Sequence, residues 1–246
     1  RNFNDIIKRA KSFGLDTMFY NYMPSFKHPD EEDAEEFFDS IYGELFRRYP
    51  DAAGICMVGE SMEFPSKDPA TTGKKWRDSL VDGIPDTRPS PGWHPCSDYP
   101  AYISAVKKAI HAVKPDAKIN FSTYNWGYTP LELRKKFLQN LPEGITLEVC
   151  YEIFSEKTLE GLNTPIMDYT ILATEPGYYF SSECETAHSL GIPVTGNVNT
   201  AGISWTFGCV PYVPVPQRWL KRNLNLREAR KNWGVTGQYT THHYGW

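Results

Sequence analysis

The sequence predicts an α/β fold, a TIM-type (β/α)8 barrel lacking its first two strands. Three observations predict it. Short apolar runs alternate with amphipathic runs along almost the whole chain, the pattern of parallel strands joined by right-handed helical crossovers. The run Ala53-Gly-Ile-Cys-Met-Val-Gly-Glu-Ser61 is apolar enough for a strand buried on both faces, and it ends abruptly in a carboxylate. No G-x-G-x-x-G follows any predicted strand, so the competing doubly wound six-stranded sheet lacks its nucleotide-binding fingerprint. About eight strands close such a barrel. Six are read here, so the first takes the place of strand 3 and the last that of strand 8.

The elements follow in order. Asn2 to Phe13 carries Ile6, Ile7 and Ala10 at helical spacing, and Gly14 ends it. Thr17 to Met23 is a strand. Asp30 to Tyr49 is a helix whose acidic first turn suits the helix dipole, with Phe37, Phe38, Ile41, Leu45 and Phe46 as its apolar face. The strand ending in Glu60 comes next. Ser61 to Pro100 is a Pro- and Gly-rich insertion, and loops of this length are usually functional or disordered. Tyr99 to Val113 is a helix, Lys118 to Trp126 a strand, and Pro130 to Leu141 a helix with Pro at its start. Ile145 to Phe154 is a strand with Glu152 near its end. A short extended piece, Asp168 to Ala173, precedes a helix from Tyr178 to Leu190. Ile192 to Asn199 is a strand. A loop rich in Trp, Pro and Gly leads to a helix around Leu226 to Trp233, and Val235 to Tyr244 is the last strand. No internal repeat or linker interrupts residues 1–246, which read as one domain.

Composition narrows the function. The net charge is −4 and no Lys/Arg-rich block occurs, which argues against nucleic acid and anionic membrane as partners. No apolar run approaches the roughly 18 residues of a membrane helix. The five Cys are widely spaced, without a CxxC pair, and no HExxH is present. Neither a disulfide framework nor a zinc site has motif support, and no metal or cofactor is expected. The chain opens at Arg1 on a helical pattern, which reads as a processed start or an internal piece. Further residues or a second chain are expected to complete the barrel.

In such a barrel the C-terminal strand ends carry the chemistry. They would deliver Asn21, Glu60, Asn125 with Trp126, Glu152, Asn197 with Asn199, and His242 with His243. Polar residues at strand ends often cap helices or satisfy loop amides, but six strands ending this way ask for more than capping. Hydrolysis of a glycosidic bond needs one protonated and one ionised carboxyl group. The apolar setting of Val58-Gly59-Glu60 favours the protonated form by desolvation, so Glu60 is the candidate general acid. Glu152 is the best second carboxylate. Glu148 shares its face, four residues earlier, near the middle or bottom of the strand. Glu63 and Glu175 lie in loops. Tyr124, Trp126 and Trp205 are candidate sugar platforms, with loop or core packing as the competing role. Asn197 and Asn199 would position a sugar or a water, and one of His242 and His243 would point inward as a hydrogen-bonding group.

The Gly59-Glu60 strand end, Glu152 and the closing Thr240-Thr-His-His-Tyr-Gly-Trp246 resemble the α-glucuronidase-type glycoside hydrolases of families 67 and 115 and their family 20-like relatives. The resemblance implies a carbohydrate substrate, polysaccharide degradation, and a secreted or periplasmic protein. It places Glu60 at the general-acid position of strand 4 and Glu152 in the region of the inverting base on strand 6. Retaining barrel enzymes with two catalytic glutamates carry the nucleophile at the end of strand 7, where this chain has Asn197 and Asn199. Asn forms no glycosyl ester, so the expectation is an inverting glycosidase with Glu60 and Glu152 roughly 6.5–9.5 Å apart. The alternatives are a substrate-assisted, retaining, hexosaminidase-like enzyme and a catalytically silent sugar-binding barrel. A sugar isomerase or lyase would need a metal or base cluster that the sequence does not offer.

Overall fold

A computed structural model describes residues 3–63, 65–71, 80–81, 84–85, 97–124, 126–153, 155–159, 161–166, 173–201 and 216–242. Its six long strands are β1 (Met18–Pro24), β2 (Gly54–Glu63), β5 (Lys118–Ser122), β6 (Ile145–Cys150), β9 (Val194–Ala201) and β10 (Gly237–His242). They form one sheet in the order β1-β2-β5-β6-β9-β10, with no reversal. The pairs β1 with β2, β2 with β5, β6 with β9 and β9 with β10 are all parallel. Sequential parallel order is what successive crossovers of one hand produce, and it is the order expected from the sequence.

The helices are α1 (Phe3–Ser12), α2 (Ala34–Phe38), α3 (Glu44–Arg48), α4 (Tyr99–Val113), α5 (Leu131–Gln139), α6 (Tyr178–Ser189) and α7 (Pro216–Trp233). A π-helical turn, Asp39–Gly43, joins α2 to α3. The helix expected over Asp30 to Tyr49 therefore starts at Ala34 and is wound loosely in its middle. Two short hairpins were not foreseen. One pairs β3 (Leu80–Val81) with β4 (Ile84–Pro85). The other pairs β7 (Ser155–Leu159) with β8 (Leu162–Ile166), turning at Gly161 with φ +82°, a conformation that glycine adopts without steric cost.

The chain divides into two compact units, Arg1–Ser122 with Gln139–Ile145, and Thr123–Leu138 with Thr146–Trp246. In the first, Phe19 of β1 meets Phe46 of α3 at 6.2 Å between ring centroids, and Phe121 of β5 meets Tyr99 of α4 at 5.4 Å. Ile55 and Met57 of β2 are fully buried, as are Tyr102, Ile103, Val106 and Ile110 of α4. In the second, Phe180 of α6 packs on Trp233 of α7 at 6.4 Å. Gly196 of β9 lies so close to Phe180 and Leu226 that a Cβ there would press on the Phe180 ring. These contacts mark which face of β1, β5 and β9 the helices cover, and period-two alternation assigns the rest to the opposite face.

Candidate functional site

In the first unit, alternation from Phe19 settles where the β1 side chains go. Asn21 shares the helix-packing face of Phe19 and is half-buried there. The opposite face belongs to Tyr20 and Tyr22, whose rings meet at 5.9 Å. Sequence reasoning missed both, although the contact side of Phe19 carried the parity signal. In the parallel register, Tyr20 pairs with Cys56 and Tyr22 with Val58. Glu60 stands two positions beyond Val58 in β2, in the stretch where the register with β1 shifts before Pro24 pairs with Glu63. Its side chain lies outside the described residues.

The loop that follows β2 is held by a partly buried polar cluster that the sequence did not reveal. His28 is 5% exposed, with Nδ1 on Asp30 and Nε2 3.0 Å from Asp98 Oδ2. Asp98 also accepts Ser66 Oγ at 2.8 Å and the Lys67 amide at 2.6 Å. Asp68 accepts the amides of Ala70 and Ser97. The Lys67 ammonium, bonded to Asp30, holds that carboxyl below its ordinary value. Residues 24 to 34 thus tie down 66 to 70 and 97 to 98.

In the second unit, β6 ends at Cys150, four residues earlier than expected, because Tyr151 turns to meet α6: its carbonyl accepts the Gly177 amide at 2.9 Å. Glu152 therefore follows the strand instead of ending it. It is 8% exposed, its Oε1 accepts the Ile153 amide at 2.9 Å, and its carboxyl lies against the backbone of Gly177. Gly177 is the N-cap of α6, so the carboxylate faces the positive end of a helix dipole. That is the anchoring role weighed against catalysis above.

Trp126 sits in a 3-10 turn (Trp126–Tyr128) that replaces the expected end of the β5 strand. It is 1% exposed and packs edge to face on Phe137. This is the core-packing role weighed above against a sugar platform. Tyr124 stays half-buried. The turn is fixed from below. The Thr123 and Tyr179 hydroxyls bond each other, and Arg134 pairs with Glu183 while stacking over the Tyr179 ring at 5.1 Å. Burial raises the Glu183 carboxyl and the Tyr179 phenol above their ordinary values.

Asn197 of β9 is 3% exposed and pairs with Cys150. Its Nδ2 donates to Oε1 of Glu148, itself 1% exposed, at 3.4 Å. Asn199 pairs with Thr241 and His242 with Ala201 in the ladder. The side chains of Asn199 and His242 lie outside the described residues, as do Asn125, Trp205 and His243 entirely. Arg222 is a further residue that sequence reading missed. It is buried in the part of α7 that precedes Leu226, and its Nε and Nη2 donate to the Ala173 carbonyl at 3.0 and 2.8 Å. Its guanidinium lies 5.8 Å from the Tyr151 ring, and burial lowers its pKa to about 10.

Among the described residues, no group of three His, Cys, Asp or Glu side chains is placed to hold a metal. No described helix is long and apolar enough to cross a membrane. A groove of 780 Å³ runs between α2 and α4, floored by Phe38, Ala105 and Ala109 and rimmed by Glu32 and Glu36. It contains none of the candidate site residues named from the sequence.

No protein-family profile matches the chain, and no curated protein matches it. Among solved structures, an endocellulase from Pyrococcus horikoshii, in complex with cellotetraose, is similar at a TM-score of 0.50 and 15% identity, over 97% of this chain and 64% of that one. The fold is that of a β/α barrel. An endoglucanase, Cel5A from Pseudomonas stutzeri, aligns at a TM-score of 0.49 and 13% identity, over 96% of this chain and 63% of its own. The agarase AgWH50C aligns at 0.49 and 12%, over 95% of this chain and 38% of its own. The chain thus spans less than two thirds of the length of each of these relatives. With six sequential parallel strands, it is a partial barrel of this class.

Proposed function

We propose that this chain carries the catalytic part of a glycoside hydrolase acting on a polysaccharide or other glycan. The observation that carries the reading is the position of Glu60, in the C-terminal half of β2 within a sequential parallel sheet. That is the end of the strand at which β/α barrels do their chemistry. In this reading Glu60 protonates the leaving oxygen, and Glu152 deprotonates a water that attacks the anomeric carbon from the opposite face. Asn197 and Asn199 replace the strand-7 carboxylate and position sugar or water, so no glycosyl ester forms there. The endocellulase with the matching fold was solved with cellotetraose, which makes cello-oligosaccharides the first substrates to try.

One observation favours a second reading of Glu152. Its Oε1 is already engaged by the Ile153 amide, as an anchoring group would be. In that reading the attacking group comes from the substrate, or the barrel binds sugar without cleaving it. Proton NMR of the first-formed product anomer, on a panel of aryl glycosides and cello-oligosaccharides, separates the three. Inverted configuration supports Glu152 as base. Retained configuration removes Glu152 from that role and favours substrate assistance. Saturable binding without turnover makes the barrel a sugar-binding one.

A further inference from the structure

Glu148 is a buried carboxylate to which the mechanism above gives no task. We infer that Glu148 is a positioning residue that sets the Asn197 carboxamide so that its carbonyl oxygen receives a hydroxyl of the bound sugar. The inference rests on the glycoside hydrolase reading.

Three observations carry it. Glu148 and Asn197 stand on adjacent strands of one unit, with Cys150 paired to Asn197 and Glu148 paired to Thr195. Both are on the face away from the helices, since Gly196 between Thr195 and Asn197 is pressed against Phe180 and Leu226. Both are nearly inaccessible, at 1% and 3% exposure, and Asn197 Nδ2 donates to Glu148 Oε1 at 3.4 Å.

The chemistry then fixes the orientation. The Asn197 amide turns its NH2 toward Glu148, whose carboxyl oxygen accepts from it. The Asn197 oxygen is thereby committed to face the other way, as an acceptor. A glutamine at 148 would fill the same space at a smaller desolvation cost, but it would both donate and accept and leave the amide free to flip. The Asn197 backbone is pinned as well, because its carbonyl accepts the Tyr151 amide at 2.8 Å. Specificity built this way rejects a sugar that lacks the matching hydroxyl.

The test is a cycle of wild type, Glu148→Gln, Asn197→Ala and the double variant, with folding followed by circular dichroism. Kinetics use the aryl glycoside turned over best in the panel above. Glu148→Gln is expected to raise KM about tenfold, the loss of one hydrogen bond, with kcat changed less than about twofold. That loss should vanish when Asn197 is already Ala. A KM unaltered by Glu148→Gln overturns the inference, and so does an undiminished loss in the Asn197→Ala background. Either result leaves the hydrolase reading standing. A chain that neither cleaves nor binds any glycoside removes both.

Discussion

Trp126 meets Phe137 edge to face, with ring centroids 4.9 Å apart and ring planes at 78°. The contact converts a residue that reads as a sugar platform into a clamp between the turn after β5 and helix α5. Trp126→Ala should cost about 3–5 kcal/mol of stability, the range for emptying a buried aromatic site. Trp126→Phe should cost much less, because it keeps an aromatic edge on Phe137. Denaturant unfolding of the two variants measures the difference.

Glu152 and Gly177 give a second test. A Cβ at position 177 would overlap the Glu152 carboxyl, so Gly177→Ala should destabilise the second unit by about 1–3 kcal/mol. In Glu152→Gln the side chain keeps an acceptor for the Ile153 amide but loses its charge at the N-terminus of α6. The expected cost is only about 0.3–1 kcal/mol. Thermal unfolding of both variants checks the order.

Acid should loosen the loop after β2. The Asp30 carboxyl is held below its ordinary 3.8, first by its hydrogen bond from Lys67. A lowered folded pKa means that the unfolded chain binds the proton more readily. The stabilisation is therefore fully present above about pH 3.8 and is lost as pH falls below it. The difference in melting temperature between wild type and Lys67→Met should be constant at neutral pH and shrink below that value. A difference that does not change on acidification would leave the pairing without effect on stability.

The fold was largely legible because helix–strand alternation is a local signal, and sequential order follows from it. Face assignment was less so. Asn21 was chosen for its chemistry, while the parity set by Phe19 sends it to the helices and brings Tyr20 and Tyr22 to the other side. The ends of β5 and β6 were read too long because apolar residues there, Trp126, Tyr151 and Ile153, are buried beyond the strands and not in them. The first half of α7 escaped notice because its buried members include Arg222, whose partner Ala173 lies 49 residues away. The Arg134–Glu183 pair, at the same separation, was hidden for the same reason. Charged residues read as solvated unless their partner is known.

The central claim is that Glu60 is the general acid. It is tested most directly by comparing Glu60→Gln with wild type on aryl glycosides of graded leaving-group pKa. Without proton donation, turnover of poor leaving groups should fall by roughly two to four orders of magnitude. Activated leaving groups, which depart unprotonated, should be affected far less, so the dependence of rate on leaving-group pKa should steepen. Equal losses across the series, or no loss at all, would contradict the assignment of Glu60.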